Sequence, residues 1–309
     1  MALIIAELCR NHQGERAVLQ QMVWEAAAAG ADYAKIQSMT PEELTFREEF
    51  EGGDRAYAAE RAALQKTCLT DEDHHWFLEE CAKAKIKPLT TVFSRERMAF
   101  LAGLPWANCQ GRRELKVASA DCASYPMLEE LRAHFDHLYV STGMTHDEEL
   151  VRTAEVLRGH SYTLLHCVSI YPTPLPRMNL RRIHLLRGLA PSVGFSDHSA
   201  GATTDALKAS ICSLYLGVDV IERHFTVLDR SLTRDGAISL DSEQLGLLVQ
   251  FARMPREELE DYVQRQIAEF PMMLGVERPG LSEEERRVRA YQRGRFASHR
   301  DGHVTYNWE

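Results

Sequence analysis

The chain has 309 residues, 45% of them hydrophobic and 26% charged, which is enough to bury a core without covalent staples. Its 45 acidic residues outnumber 36 basic ones for a net charge of −9, which argues against a nucleic-acid or anionic-membrane surface, since both reward clustered Lys and Arg. The seven cysteines are odd in number and never form a CxxC pair, the start MALIIAELCRNHQGE lacks a basic leader, and no apolar run spans a bilayer, so a cytoplasmic protein without disulfides or zinc knuckles is expected.

From the N-terminus onward, short apolar runs alternate with amphipathic segments, the pattern of repeated strand–helix units. Strands are predicted at residues 3–7, 33–37, 88–92, 114–118, 138–141, 162–167, 192–196 and 219–223. Helices are predicted at 15–29, 71–84, 94–102, 127–133, 147–157, 180–189, 203–216 and 241–254, with Gly30 as a stop and Ser94, Asp147 and Asp241 as N-caps. Eight such units without a glycine-rich dinucleotide fingerprint predict an α/β fold of the closed (β/α)8 barrel type over residues 1–255. The segment 38–70 is expected as a loop or subdomain over the barrel mouth, and residues 256–309 as a helical extension packed outside the barrel.

In such a barrel the active site forms where the strands end. Polar residues gather there: Glu7, Asn11 and His12; Lys35 and Gln37; Thr91 and Ser94; Lys116, Ser119 and Asp121; Ser141 and Thr142; His166 and Tyr171; Ser196, Asp197 and His198; Glu222 and His224. Lys35 and Lys116 stand in apolar strands, where an ammonium is costly unless paired. Three readings stay open for them: an ion pair with Glu7 or Glu222, an anion cradle completed by Ser119, Ser141 and Ser196, or a Schiff-base lysine. His198 and His224 end adjacent strands and could share a divalent metal, with Glu222 ligating it or its water. The carboxylates Glu7, Asp121, Glu222 and Asp235 suit acid–base work or lysine pairing equally. His166 reads as a core residue; His74, His75, His134, His137 and His160 read as solvated. Cys9, Cys122 and Cys167 read as buried packing residues rather than nucleophiles.

The segments IIAELCRNHQG, GADYAKIQS, LTTVFSRE, LKVASADCASYPML, VSTGM, LLHCVSIYPTP, VGFSDHSAG and VIERHFT resemble the sialic acid synthase family, in family order from residue 4 to about residue 240. The resemblance implies a synthase that condenses phosphoenolpyruvate with an aldose or sugar-like aldehyde in a homodimer. It implies a phosphoenolpyruvate site of Lys35, Gln37, Thr91, Lys116, Ser119, Ser141 and Ser196. It also implies manganese on His198 and His224 (Mg2+ or Co2+ as alternatives), with Glu7 or Glu222 as the base and Glu7, Asp121, Tyr171 and Asp235 facing the sugar. Three departures stand out: ASAD replaces the family's ASGE, TVFS replaces TPFS, and Thr233-Arg234-Asp235 replaces Gly-Pro-Asp, setting a cation beside the sugar site. The last residues resemble only the linker toward the family's antifreeze-like domain, whose arginine serves the partner's sugar site; Arg234 or the 38–70 segment is expected to substitute. A metal-dependent aldolase or lyase, or a degenerate sugar-binding subunit, are the alternatives to a synthase.

Overall fold

A closed barrel admits every second side chain of each strand to its interior and sends the others to the helices. In the computed structural model, which describes residues 1–51, 56–106, 111–300 and 302–309, eight parallel strands close in sequence order. They are β1 (Leu3–Glu7), β2 (Tyr33–Ser38), β3 (Lys87–Val92), β4 (Glu114–Val117), β5 (His137–Ser141), β6 (Tyr162–His166), β7 (Ser192–Asp197) and β8 (Val220–His224). Register pairs Glu7 with both Lys35 and His224, and Ser196 with Glu222, so polar strand ends lie level with one another.

The alternation sorts the residues cleanly. Ile4, Ala6, Ala34, Ile36, Leu115, Val117, Leu138, Val140, Leu164, Val193, Phe195 and Ile221 face outward into the main core against the helices. Ile5, Tyr33, Leu89, Tyr139, Leu165 and Val220 fill the inside as a separate plug. Within it Tyr33 donates to Glu114 at 2.6 Å, which satisfies a carboxylate buried beneath the site. Gly194 belongs to this packing: a Cβ there would lie 2.2 Å from Leu165 Cδ2 and 2.7 Å from the Val220 carbonyl. The plug is a floor, and the next inward residues up each strand are those predicted to be functional.

The helices are α1 (Arg16–Ala28), α2 (Tyr57–Thr67), α3 (Asp71–Ala84), α4 (Met98–Gly103), α5 (Tyr125–His134), α6 (Asp147–Val156), α7 (Arg182–Arg187), α8 (Lys208–Tyr215), α9 (Ser242–Arg253), α10 (Arg256–Gln266), α11 (Phe270–Leu274) and α12 (Glu283–Gln292). Gly30 follows α1 at φ +87°, as its stop role requires, and Asp241 caps α9 by accepting from Gln244 N. Two other predicted caps differ. His146 is the N-cap of α6 in a box with Glu149, which leaves the Asp147 carboxylate to pair with Arg182 at 2.6 Å. Ser94 donates instead to Glu43 at 2.6 Å. The helix expected from residue 203 begins at Lys208, because Ser199 bonds back to the Ala206 carbonyl and holds the intervening residues in turns.

The segment 38–70 contains α2, and Met39, Leu44 and Leu64 from it form an apolar cluster with Phe296. That cluster explains a second difference from expectation. Helix α10 packs on α8, but the chain beyond α12 returns across the barrel mouth instead of staying outside. Thr45 N donates to Arg295 O at 2.9 Å and Ala297 N to Glu43 O at 2.9 Å, stitching the return strand to the 38–70 segment. A hairpin of β9 (Ser298–Arg300) and β10 (His303–Thr305) follows, and Asn307 reaches Phe93 O and Asp121. Among the described residues no helix is long and apolar enough to cross a membrane.

Candidate active site

Above the plug lies a cavity of about 360 Å³. Every residue of the predicted anion cradle lines it (Lys35, Gln37, Thr91, Lys116, Ser119, Ser141 and Ser196), together with Glu7, Asp121, Tyr171, Asp235, His198, Glu222 and His224. Other polar residues at the strand ends do not. Asn11 donates to Phe225 O and Ser239 Oγ at 3.0 Å each, tying two loops together. His166 bonds Met178 O at 2.7 Å in the core, as expected. Asp197 has outward parity and pairs with Arg223 at 2.6 Å, both fully buried, so it braces the β7 and β8 ends from behind. His74 and His137 are buried rather than solvated: His74 caps back to Thr70 O, and His137 opens β5 between Ser161 and Thr163. Cys109 lies outside the described residues.

The two lysines behave differently. Lys35 is ion-paired with Glu7 and, at 3.3 Å, with Glu222, and it donates to Thr91 at 2.8 Å. Burial lowers its pKa to about 8 against the pull of Glu222, with Lys116 adding to the fall. Lys116 is 3% exposed and donates to the Val117 carbonyl at 2.8 Å, yet forms no ion pair among the described residues. A buried ammonium with no carboxylate within ion-pair distance marks a place for an anion. Ser119 and Ser141 open on the same cavity, and Gly143 N donates to Ser119 at 3.1 Å. Glu222 accepts from Ser196 at 2.8 Å; burial would raise its pKa, but Lys35, Lys116 and Ser196 outweigh it and hold the carboxylate ionised.

Donors suited to a divalent cation meet beside this cradle. Cys9 Sγ, a ring nitrogen of His224 and an Asp235 oxygen lie within 4.8 Å of one another. His224 Nδ1 is buried without a hydrogen-bond partner, and burial with the neighbouring His198 keeps the ring neutral, the form that ligates. His198 lies with its ring centroid 5.3 Å from that of His224, and its Nδ1 is held by Val168 O at 3.0 Å, which leaves Nε2 for a ligand. The residues therefore fit a cation. Cys9, which the sequence reads as a buried packing residue, is buried but also turns its sulfur to this group; its position two residues after Glu7, at the foot of the first loop, was the available signal.

Asp121 lines the cavity with Oδ1 accepting from Ser124 at 3.0 Å and from Asn307 at 2.8 Å. Burial raises its pKa to about 6 even against these donors. Tyr171, about half exposed, lays its ring on His198 at 4.5 Å. Arg234 turns from Asp235 to clasp Glu60 of α2 with both nitrogens at 3.1 Å. Arg10, Arg295 and Phe296 also line the cavity and went unmarked in the sequence, because only the tertiary return of the tail brings them together.

A (β/α)8 barrel with a polar cleft at its strand ends, an unpaired buried lysine and a Cys–His–Asp donor group defines a metal-competent enzyme-like barrel. The family model for the NeuB family matches residues 22–264, and the chain belongs to that family. It is 32% identical over 271 residues to a pseudaminic acid synthase of Campylobacter jejuni, covering 84% of this chain and 75% of that one. It is 30% identical over 264 residues to the N,N'-diacetyllegionaminic acid synthase of Legionella pneumophila, covering 81% and 71% respectively. A sialic acid synthetase from Leptospira borgpetersenii, solved with citrate, shares the fold at a TM-score of 0.70 and 23% identity over 94% of this chain and 91% of that one.

Proposed function

We propose that the cavity condenses phosphoenolpyruvate with the open-chain aldehyde of an aldose, forming a 2-keto-3-deoxy acid and releasing phosphate. The observation that carries this reading is Lys116, a buried ammonium facing the cavity with no carboxylate partner among the described residues. It would hold the phosphate or carboxylate of phosphoenolpyruvate with Ser119, Ser141, Ser196, Thr91 and Gln37. Lys35 would join them by exchanging one of its carboxylate partners for the substrate anion. Much of the effect of such a cradle is positioning.

Carbon 3 of the enolpyruvate attacks the aldehyde carbon, and the aldehyde oxygen gains a proton to become a hydroxyl. Water adds at carbon 2, Glu222 or Glu7 takes its proton, and the carbon–oxygen bond to phosphate breaks. A divalent cation, manganese first among candidates, would sit on His198 and His224 with Cys9 and Asp235 adjacent, and supplies Lewis-acid polarisation of an oxygen when bound. Asp121, Tyr171 and Asp235 would orient sugar hydroxyls. A catalytic barrel over residues 1–255, an extension over 256–309 that covers its mouth, and a homodimeric assembly belong to the same proposal; the molar mass in solution tests the last.

The test is to incubate the protein with Mn2+, phosphoenolpyruvate and a panel of aldoses while following phosphate release and product mass. Acceptor-dependent release, abolished by a chelator and by His224→Ala, is expected. No release across the panel, with sugar binding that needs no metal, would replace the synthase by a binding subunit.

A further inference from the structure

A second cavity, of about 200 Å³, lies behind the loops that follow β5 and β6. His166 lines it, since it shares the outward parity of Leu164 on β6 and points away from the active cavity. Arg182 of α7 and Arg278 from the segment before α12 line it as well, and both pair with Asp147, at 2.6 and 3.2 Å.

The polar groups of this cavity select a ligand class. His166 donates from Nε2 to the Met178 carbonyl at 2.7 Å, so Nδ1 carries the lone pair of a neutral ring. That nitrogen is buried and has no hydrogen-bond partner among the described residues, on a residue only 1% exposed. An unfilled buried acceptor is a cost that a donor entering the cavity removes. Arg182 supplies donors to the same space. Arg182 and Arg278 stand there against Asp147, Glu148 and Glu285, with Glu148 exposed and Glu285 accepting from Ser282 at the start of α12. Three carboxylates disfavour an anion, and the buried Arg182 disfavours a cation. A hydroxyl both donates and accepts, so a neutral polyhydroxy compound satisfies His166 Nδ1 and Arg182 together. The volume is roughly that of six or seven waters at about 30 Å³ each, which suits a small sugar alcohol rather than a nucleotide.

The wall between the two cavities is thin. Met144 lines both, in the left-handed backbone region at φ +50°, with its carbonyl accepting from Arg289 of α12 at 2.7 Å. Cys167 lines the second cavity, and its Sγ meets Ser119 Oγ and Gly143 N at 3.1 Å each. Ser119 in turn belongs to the anion cradle. A Cβ on Gly143 would lie 2.7 Å from Cys167 Sγ and 3.0 Å from Ser119 Oγ, so the partition has no slack, and close-packed groups pass a displacement on.

We propose that this second cavity is an effector site for a small neutral polyol, whose binding alters anion affinity at Ser119 through the Met144 and Cys167 wall. The site goes beyond the synthase reading and does not depend on it; only the coupling refers to the cradle.

The test titrates glucitol into the full chain by calorimetry, with gluconate and glucamine as its anionic and cationic counterparts. Glucitol binding at least about tenfold tighter than either is expected. Because an alditol also resembles an aldose acceptor, three variants locate it. Asp121→Asn, in the active cavity, should leave glucitol affinity in place. Leu281→Trp, which fills the second cavity from its half-buried rim, and His166→Phe, which removes the acceptor, should each weaken it about tenfold. Leu281 lies outside the core clusters, so its variant still reports if His166→Phe folds poorly. No glucitol binding, equal binding of gluconate, or binding that falls with Asp121→Asn but not with Leu281→Trp would overturn the site. The coupling is read with inorganic phosphate: saturating glucitol should change phosphate affinity at least about fivefold, and phosphate should change glucitol affinity by the same factor. No reciprocal change would overturn the coupling. Phosphate that fails to bind at all would remove the cradle, the coupling and the synthase reading together, while the glucitol titration still decides the site.

Discussion

Replacing Arg223 by Met would leave Asp197 as a carboxylate sealed in the core without its counter-charge. The pair is 2.6 Å apart with both side chains at 0% exposure, so no water can take over. Asp197 would keep Ser199 N at 2.8 Å and Ser210 Oγ at 2.6 Å, and those donors soften the loss. Breaking a buried pair from one side typically costs about 3–5 kcal/mol, and the remaining donors place the expectation near the lower end, about 3 kcal/mol. Asp197→Asn strands the guanidinium instead, but Ser199 Oγ at 2.6 Å still receives it, so a similar or smaller loss is expected. Urea unfolding of both single variants and the double variant gives the coupling energy directly. A coupling below about 1 kcal/mol would refute the idea that this pair locks the ends of β7 and β8. Because His198 and His224 are the chain neighbours of these two residues, metal affinity should fall in the same variants.

Burial holds His12, His74, His137 and His166 neutral, lowering each pKa from 6.5 to about 4. The unfolded chain therefore binds protons that the fold refuses, so stability is complete above pH 6.5 and falls as pH drops toward 4, by up to about 3 kcal/mol per histidine. Urea midpoints across that window should slope, and His137→Asn should flatten the slope; a flat profile in the parent protein would contradict the burial argument. Lys116→Met should raise the KM for phosphoenolpyruvate about a hundredfold while changing the thermal midpoint little, because Lys116 has no carboxylate within ion-pair distance and its help to Glu222 is shared with Lys35 and Ser196. A lower midpoint with intact KM would mean that Lys116 is structural. Asn307→Ala should loosen the tail by about 1–3 kcal/mol and push the Asp121 pKa above about 6, read by limited proteolysis and by carboxyl NMR titration.

The barrel was readable because parity is local information: each strand carries its own alternation, and the inward residues above the plug fell on the predicted positions from Lys35 to His224. Strand bounds moved by a residue at most because the apolar runs end where the polar loops begin. What escaped the sequence depends on contacts far apart in the chain. Asp197 looks identical to a site carboxylate until its partner Arg223, on the next strand, is known to share its outward parity. His137 reads as a loop residue because its two hydroxyl partners, Ser161 just before the following strand and Thr163 on it, are more than 20 residues away in sequence. Arg10, Arg234 and Arg295 meet Glu60 from three separate parts of the chain, and no periodicity links them.

Asn307 follows Asp121 by 186 residues, yet closes the same cavity. During synthesis on the ribosome, all eight strands can pair before the tail emerges, since β8 ends at His224. A nascent barrel with its floor built and its mouth uncovered can therefore persist for as long as translation takes to travel from β8 to the hairpin. Small solutes can reach the cradle freely in that interval, whereas the wall that Arg295 and Phe296 supply is missing until the tail arrives.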